Sequence, residues 1–250
     1  MAEVMVFPDK HRLAEHAGNL WVEICRRSSG KGAFNAVLSG GETPKTFYRH
    51  LAARVDSCPW DRAHIYFADE RFVPFDHPDS NYGMIRDILL DKLPVRPAQV
   101  HPVPVDEVSP ELSAMRYERD IRDAFGLPDG MFPSFDIALL GLGEDGHTAS
   151  LFPGAPVLDE KIRIAAPAFP EKAPHGRITL TLPVLNRAKA VIFLVTGKRK
   201  AAALAGTLAG KRDVPAARIK PQAGRLFFLL DEDAASGLAG KNRSRGQSEI

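Results

Sequence analysis

An α/β fold with a mainly parallel sheet is predicted by two features of this sequence. Short apolar runs rich in β-branched and aromatic residues alternate with longer stretches of helical periodicity, the pattern of strands joined by crossover helices. The 250 residues, 44% of them hydrophobic, are enough to bury a full core in a single domain.

The strands are expected at residues 33–38, 64–68, 100–104, 135–140, 177–181, 190–195 and 226–230, where apolar runs are too short for helices. The helices are expected at 10–27, 44–55, 82–92, 110–125 and 198–209, where apolar residues recur every three or four positions. Two proline-rich stretches, 94–110 and 153–174, read as long surface connections, because neither flank looks self-sufficient. One domain is therefore expected over 1–239. The remainder, 240–250, lacks an apolar face and reads as a disordered tail. No internal repeat is visible.

Charge and composition narrow the function. Thirty-three basic and 31 acidic residues are spread along the chain and leave a net charge of +2, so no one-signed field is available for a polyanion and no nucleic-acid partner is expected. The only cysteines, Cys25 and Cys58, form no CxxC and have no histidine at ligand spacing, so neither a disulfide framework nor a zinc site is implied. Glu3, Asp9, Lys10 and His11 interrupt any secretory core, and no run of eighteen apolar residues exists. No membrane association and a cytoplasmic location are expected.

Three polar motifs each follow directly on an expected strand, where ligands bind in open α/β sheets. In Ser39-Gly40-Gly41-Glu42-Thr43-Pro44 two glycines allow backbone N–H groups to approach a ligand, Thr43 can cap the following helix and Pro44 suits its first turn. Such a junction suits phosphate, and a bare strand-to-helix turn is an equal alternative. It lacks the lysine and second glycine of a nucleotide-triphosphate loop. In Asp69-Glu70-Arg71, alternation turns at least one charge toward the crevice: Arg71 is a fork for phosphate or carboxylate and Asp69 a partner for sugar hydroxyls, while Glu70 can equally brace the loop in an ion pair.

The third motif, Gly141-Leu142-Gly143-Glu144-Asp145-Gly146-His147, formally contains a GxGxxG dinucleotide pattern. Pro153, Gly154 and Pro156 leave room for barely two helical turns after it, and Asp159 and Glu160 precede the next apolar stretch, so nicotinamide binding is disfavoured. A cradle presenting one imidazole fits better, with Asp145 fixing the tautomer of His147 and favouring its protonated form as a proton arrives. Further along, Arg177 and Lys198 are candidates for an anion site. Lys198 follows a strand where a helix begins, whereas Arg199 and Lys200 read as a solvated face, His175 as a loop residue, and His64, His77 and His101 as structural or surface histidines.

Taken in order, the first motif, Phe67-Ala68-Asp69-Glu70-Arg71-Phe72-Val73-Pro74, Ser80-Asn81-Tyr82, the stretch Leu140 to Pro153 around His147, and Arg177-Ile178-Thr179-Leu180-Thr181 resemble the successive motifs of the 6-phosphogluconolactonase family, within the glucosamine/galactosamine-6-phosphate isomerase superfamily. The similarity runs from about Lys10 to Asp233. It implies a Rossmann-like three-layer fold and hydrolysis of 6-phosphoglucono-1,5-lactone, with His147 as base, Asp145 as its orienting acid, and Arg71, Arg177 and Lys198 as phosphate or carbonyl contacts. Ser39, Gly40, Gly41, Asp69 and Gly143 complete the expected substrate site. No metal and no cofactor are expected; the only partner is the phosphosugar lactone, met by a monomer or weak homodimer. The related glucosamine-6-phosphate deaminases are the nearest rival, but Phe152 stands where their catalytic glutamate falls and Arg71 where they tend to carry tyrosine. A nicotinamide oxidoreductase and a non-catalytic sugar-phosphate sensor are more distant alternatives.

Overall fold

The computed structural model describes residues 2–28, 32–171, 174–238 and 244–245. Strands β1 (Ala2–Phe7), β2 (Phe34–Leu38), β3 (Ala63–Phe67) and β4 (Asp69–Arg71) come first, followed by β5 (Val100–His101), β6 (Ile137–Gly141), β7 (Ala165–Ala168) and β8 (Arg177–Leu180). The last are β9 (Ala190–Val195), β10 (Arg225–Asp231) and β11 (Ser244–Arg245). The helices are α1 (Lys10–Ser28), α2 (Glu42–Ala52), α3 (Asn81–Ile88), α4 (Pro110–Phe125), α5 (Leu182–Leu185) and α6 (Ala201–Leu208), with short 3-10 turns between.

The larger sheet has the order β11-β1-β10-β9-β6-β2-β3-β5, and every pairing in it is parallel. All six residues of β9 are buried, as are four of five in β6, which is what a parallel sheet covered by helices on both faces requires. The fold is thus the expected three-layer α/β architecture. Buried apolar side chains from Phe7 to Ala235 form one continuous cluster, and among the described residues no helix is long and apolar enough to cross a membrane.

Helix bounds follow local chemistry. The Ser109 side chain accepts from the backbone N–H of Leu112, Pro110 opens α4, and Gly126 closes it at φ 59°, so the expected 110–125 matches the observed span. Asp9 accepts the N–H groups of His11 and Arg12 at the start of α1. Helix α2 begins at Glu42 with no side-chain cap; Thr43 instead meets Thr196 through its hydroxyl at 2.8 Å, tying α2 to the end of β9.

Four strands, β1, β4, β7 and β11, were invisible in the sequence. Strand β1 carries Glu3, yet it pairs with β10 from Ala2↔Leu226 to Phe7↔Asp231, a partner from the other end of the chain. The charged triplet Asp69–Arg71 is itself strand β4, and β7 lies within 153–174, so that stretch is not only a surface connection. Strand β8, expected beside the parallel strands, joins β4 and β7 in a separate antiparallel sheet of order β4-β8-β7. Residues 100–104 form strand only at Val100–His101. The expected tail, 240–250, lies outside the described residues except Ser244–Arg245, whose backbone runs beside β1.

The topology places the site. From β2 the chain proceeds to β3 and β5 on one side, while β6 leads to β9 and β10 on the other, so β2 and β6 flank a topological switch point. A crevice opens there, outside the strands' carboxyl ends.

Candidate functional site

The residues that follow β2, β3, β6 and β9 meet in one crevice of about 520 Å³, a size suited to a small ligand. Its wall contains Ser39, Gly40 and Gly41 from the first motif, Asp69 and Arg71 from the second, and Gly143 and His147 from the third, with Arg177 from β8. A second cavity of about 620 Å³, lined by prolines with Phe75, His101 and Asp120, holds none of the three motifs.

The loop after β6 is folded around its imidazole. The N–H of Gly143 donates to the carbonyl of His147 at 2.7 Å, and the Thr148 hydroxyl donates to the carbonyl of Gly141 at 2.8 Å. A Cβ at position 143 would sit 2.1 Å from His147 Nδ1 and 2.6 Å from Asp145 Oδ1, so only glycine permits this approach. Asp145 Oδ1 accepts both the His147 backbone N–H at 3.0 Å and the ring Nδ1 at 2.6 Å. An ionised carboxylate accepts only, which assigns the ring proton to Nδ1 and leaves Nε2 as the basic nitrogen. Burial pushes the Asp145 carboxyl up, but the backbone hydrogen bond from His147, its charge and its ring N–H outweigh this and hold it below the ordinary carboxylate range. The ring of Phe152 lies 4.5 Å from that of His147, so an apolar face, not a carboxylate, flanks the imidazole.

Two arginines, candidates for an anion clamp, stand together on the wall. In the β4–β8 pair Arg71 stands directly opposite Arg177, and two like charges facing each other destabilise a strand pair unless a counter-charge joins them. Arg71 Nη1 donates to the carbonyl of Asp79 at 2.6 Å. Arg177 is 9% exposed, and among the described residues its Nε and Nη1 have no hydrogen-bond partner. Burial and the neighbouring Arg71 push the Arg177 guanidinium down from its ordinary value, against the pull of Asp69, Asp79 and Glu70. Buried donors without acceptors are costly and point to an anionic guest.

Beneath the clamp lies a carboxylate scaffold. Glu70 is fully buried and makes no ion pair; it accepts the backbone N–H groups of Arg71, Asn81 and Tyr82, each at 2.7 Å, and the hydroxyl of Ser80 at 3.2 Å. Burial pushes its carboxyl up to about 7, against the three backbone donors that pull it down. Because Glu70 joins β4 to the N-terminus of α3, Glu70→Ala is expected to strand four donors and lower stability by about 4 kcal/mol; a denaturant melt that shifts by under ~1 kcal/mol would contradict this. Asp69 accepts the Ser150 hydroxyl at 2.7 Å and Asn81 Nδ2 at 3.4 Å, binding the second motif to the third.

Residues 8–228 match the model of the family described as glucosamine-6-phosphate isomerases/6-phosphogluconolactonase. The chain belongs to this family. It is 42% identical over 218 residues to the 6-phosphogluconolactonase of Synechocystis sp., covering 86% of this chain and 89% of that protein. It is 42% identical over 240 residues to the Homo sapiens 6-phosphogluconolactonase, covering 93% and 92%. Among solved structures, the 6-phosphogluconolactonase from Trypanosoma cruzi superposes with a TM-score of 0.85 at 33% identity, covering 96% of this chain and 97% of that one.

Of the expected site residues, Lys198 and Asp145 do not line the crevice. Lys198 is exposed and absent from the crevice wall, whereas Arg199 and Lys200, expected to be a solvated face, contribute to it. The cause is local: Lys198–Lys200 form a 3-10 turn at three residues per turn, not the start of an α-helix, and α6 begins only at Ala201. Lys200 is pushed down by burial and held up by Glu144, which also meets Arg199 at 3.2 Å. Asp145 stands behind the imidazole and does not line the wall. Asn81, Ser150, Phe152 and Thr196 line it without having been assigned a role from the sequence; a Cβ on Gly40 would lie 1.7 Å from Asn81 Oδ1, a proximity only the fold reveals.

Proposed function

We propose that this chain hydrolyses 6-phospho-D-glucono-1,5-lactone to 6-phospho-D-gluconate, in the oxidative pentose phosphate pathway, the activity in keeping with its relatives' name, 6-phosphogluconolactonase. The observation that carries this reading is one crevice uniting an Asp145-backed imidazole with the unpartnered donors of Arg177. A δ-lactone is an activated ester, so no covalent nucleophile is needed. Water must be oriented, its proton removed and the oxyanion stabilised.

In the proposed sequence His147 Nε2 takes a proton from water as the water oxygen bonds to the lactone carbonyl carbon, and Asp145 stabilises the imidazolium. Backbone N–H groups of the Gly40–Gly41 or Gly143 turns face the oxyanion. The tetrahedral intermediate collapses with cleavage of the ring C–O bond, and the imidazolium returns its proton to the departing ring oxygen. Arg71 and Arg177 hold the phosphate, with Lys200 taking the role first expected of Lys198; Ser39 and Asp69 shape the sugar subsite. The phosphate is remote from the reacting carbon, so its binding energy goes into orientation. The reaction as drawn uses no metal or cofactor, and the chain is proposed to act in the cytoplasm as a monomer or weak homodimer.

The test is the rate of lactone opening above the spontaneous reaction, followed against pH. Asp145 is held below the ordinary carboxylate range, so it stays ionised behind the imidazole and its own protonation lowers the rate only at pH below that range. A fall in rate centred within the ordinary carboxylate range would contradict this, and no acceleration over the spontaneous rate would overturn the assignment. Ammonia release from glucosamine 6-phosphate separates the deaminase reading; the Phe152 ring on His147 disfavours it.

A further inference from the structure

Outside the crevice, His77, Asp79 and His175 bring one ligand atom each within 4.8 Å of one another. The cluster is independent of the lactone chemistry: none of its members lines the crevice. His77 and Asp79 lie in the loop that leaves β4, and His175 in the loop that enters β8. Those strands are locked together by the Asp69↔Thr179 to Arg71↔Arg177 pairing and by the N–H of Phe72 donating to the carbonyl of Gly176 at 2.9 Å. Two further bonds shape the first loop, from the N–H of His77 to the carbonyl of Pro74 at 3.0 Å and from the N–H of Asp79 to His77 Nδ1 at 3.1 Å. Across the gap His175 Nε2 meets Asp79 Oδ2 at 3.2 Å, and the two imidazole rings stand 5.2 Å apart at 80°.

We propose that His77, Asp79 and His175 form a three-ligand site for a borderline transition-metal ion of the Zn²⁺ class, at the rim of the anion clamp. Two imidazoles and one carboxylate select such an ion over Mg²⁺ or Ca²⁺, which take oxygen ligands. Bonds of about 2.0–2.2 Å require ligand atoms about 3.4 Å apart in a tetrahedron; His175 Nε2 and Asp79 Oδ2 are already at 3.2 Å, and the widest separation, within 4.8 Å, must close by no more than about 1.4 Å, a movement open to half-exposed side chains on two loops. The remaining position is left to water. The ion joins the loop after Arg71 to the loop before Arg177, and the Asp79 carbonyl already receives the Arg71 guanidinium. Occupancy therefore braces the segment on which Arg71 leans.

The test is calorimetric titration of chelator-stripped protein with ZnCl₂, with melting temperature and the visible spectrum of the Co²⁺ form read in parallel. One equivalent per chain is expected, raising the melting temperature and giving the intense d–d bands of low-coordinate Co²⁺. Affinity should drop at least ~10-fold in His77→Ala and in His175→Ala, and hold in His11→Ala, an exposed histidine outside the cluster. Melting in chelator reports whether each variant is folded; should an alanine variant not fold, His175→Gln and the Co²⁺ spectrum of the unsubstituted protein decide. Zinc binding equal in the unsubstituted protein and both alanine variants, or a Co²⁺ spectrum no stronger than that of the aquo ion, overturns the site.

Discussion

Replacing His147 by alanine is expected to lower the enzyme-dependent rate of lactone opening by about 10²–10⁴-fold, the usual contribution of a positioned general base. The loss should fall on kcat, because the arginines proposed to hold the phosphate lie on other segments. The fold should survive: a third of the His147 side chain is exposed, and the loop is also held by the Gly143 and Thr148 hydrogen bonds. Asp145→Asn is a sharper probe of the same pair. An amide can present N–H to Nδ1 and stabilise the wrong tautomer, so a fall in kcat with little change in KM is expected. Because the lactone opens spontaneously, the measurement is progress of hydrolysis at low temperature with the uncatalysed rate subtracted. A His147→Ala rate within threefold of the parent would remove the imidazole from the mechanism.

The second large effect concerns Arg177. Among the described residues its buried Nε and Nη1 have no partner, so if it holds the substrate's anion as proposed, the side chain lowers stability in the empty protein. Arg177→Met is therefore expected to raise KM for the phosphorylated lactone by about 10–100-fold, the worth of one or two charge-assisted hydrogen bonds, while leaving the melting temperature unchanged or higher. For the lactone lacking phosphate the parent and the variant should be nearly alike. The crossed result, lost stability with substrate affinity retained, would make Arg177 a structural cation.

Much of this site could be read in the sequence because its parts are local. Asp145 and His147 are two residues apart, and the glycines around them announce a tight loop, so the pair was legible before any fold was known. The parallel strands were legible for the same reason: β9 and β10 are apolar runs bounded by turn residues. What could not be read depended on partners remote in the chain. Strand β4 exists because β8, more than a hundred residues later, supplies its ladder; Asp69 is fixed by Ser150, 81 positions away. Lys200 lines the crevice and Lys198 does not, because Lys198–Lys200 form a 3-10 turn before α6 begins. His77 read as a structural or surface histidine since His175, 96 positions from Asp79, is needed to complete the cluster.

The most direct measurement is a crystal structure with 6-phospho-D-gluconate bound. Its carboxylate carbon should lie within reach of His147 Nε2, and its phosphate between Arg71 and Arg177 with the Arg177 donors paired. A phosphate bound away from both arginines, or a carboxylate end remote from His147, would contradict the meeting of imidazole and anion clamp around one substrate.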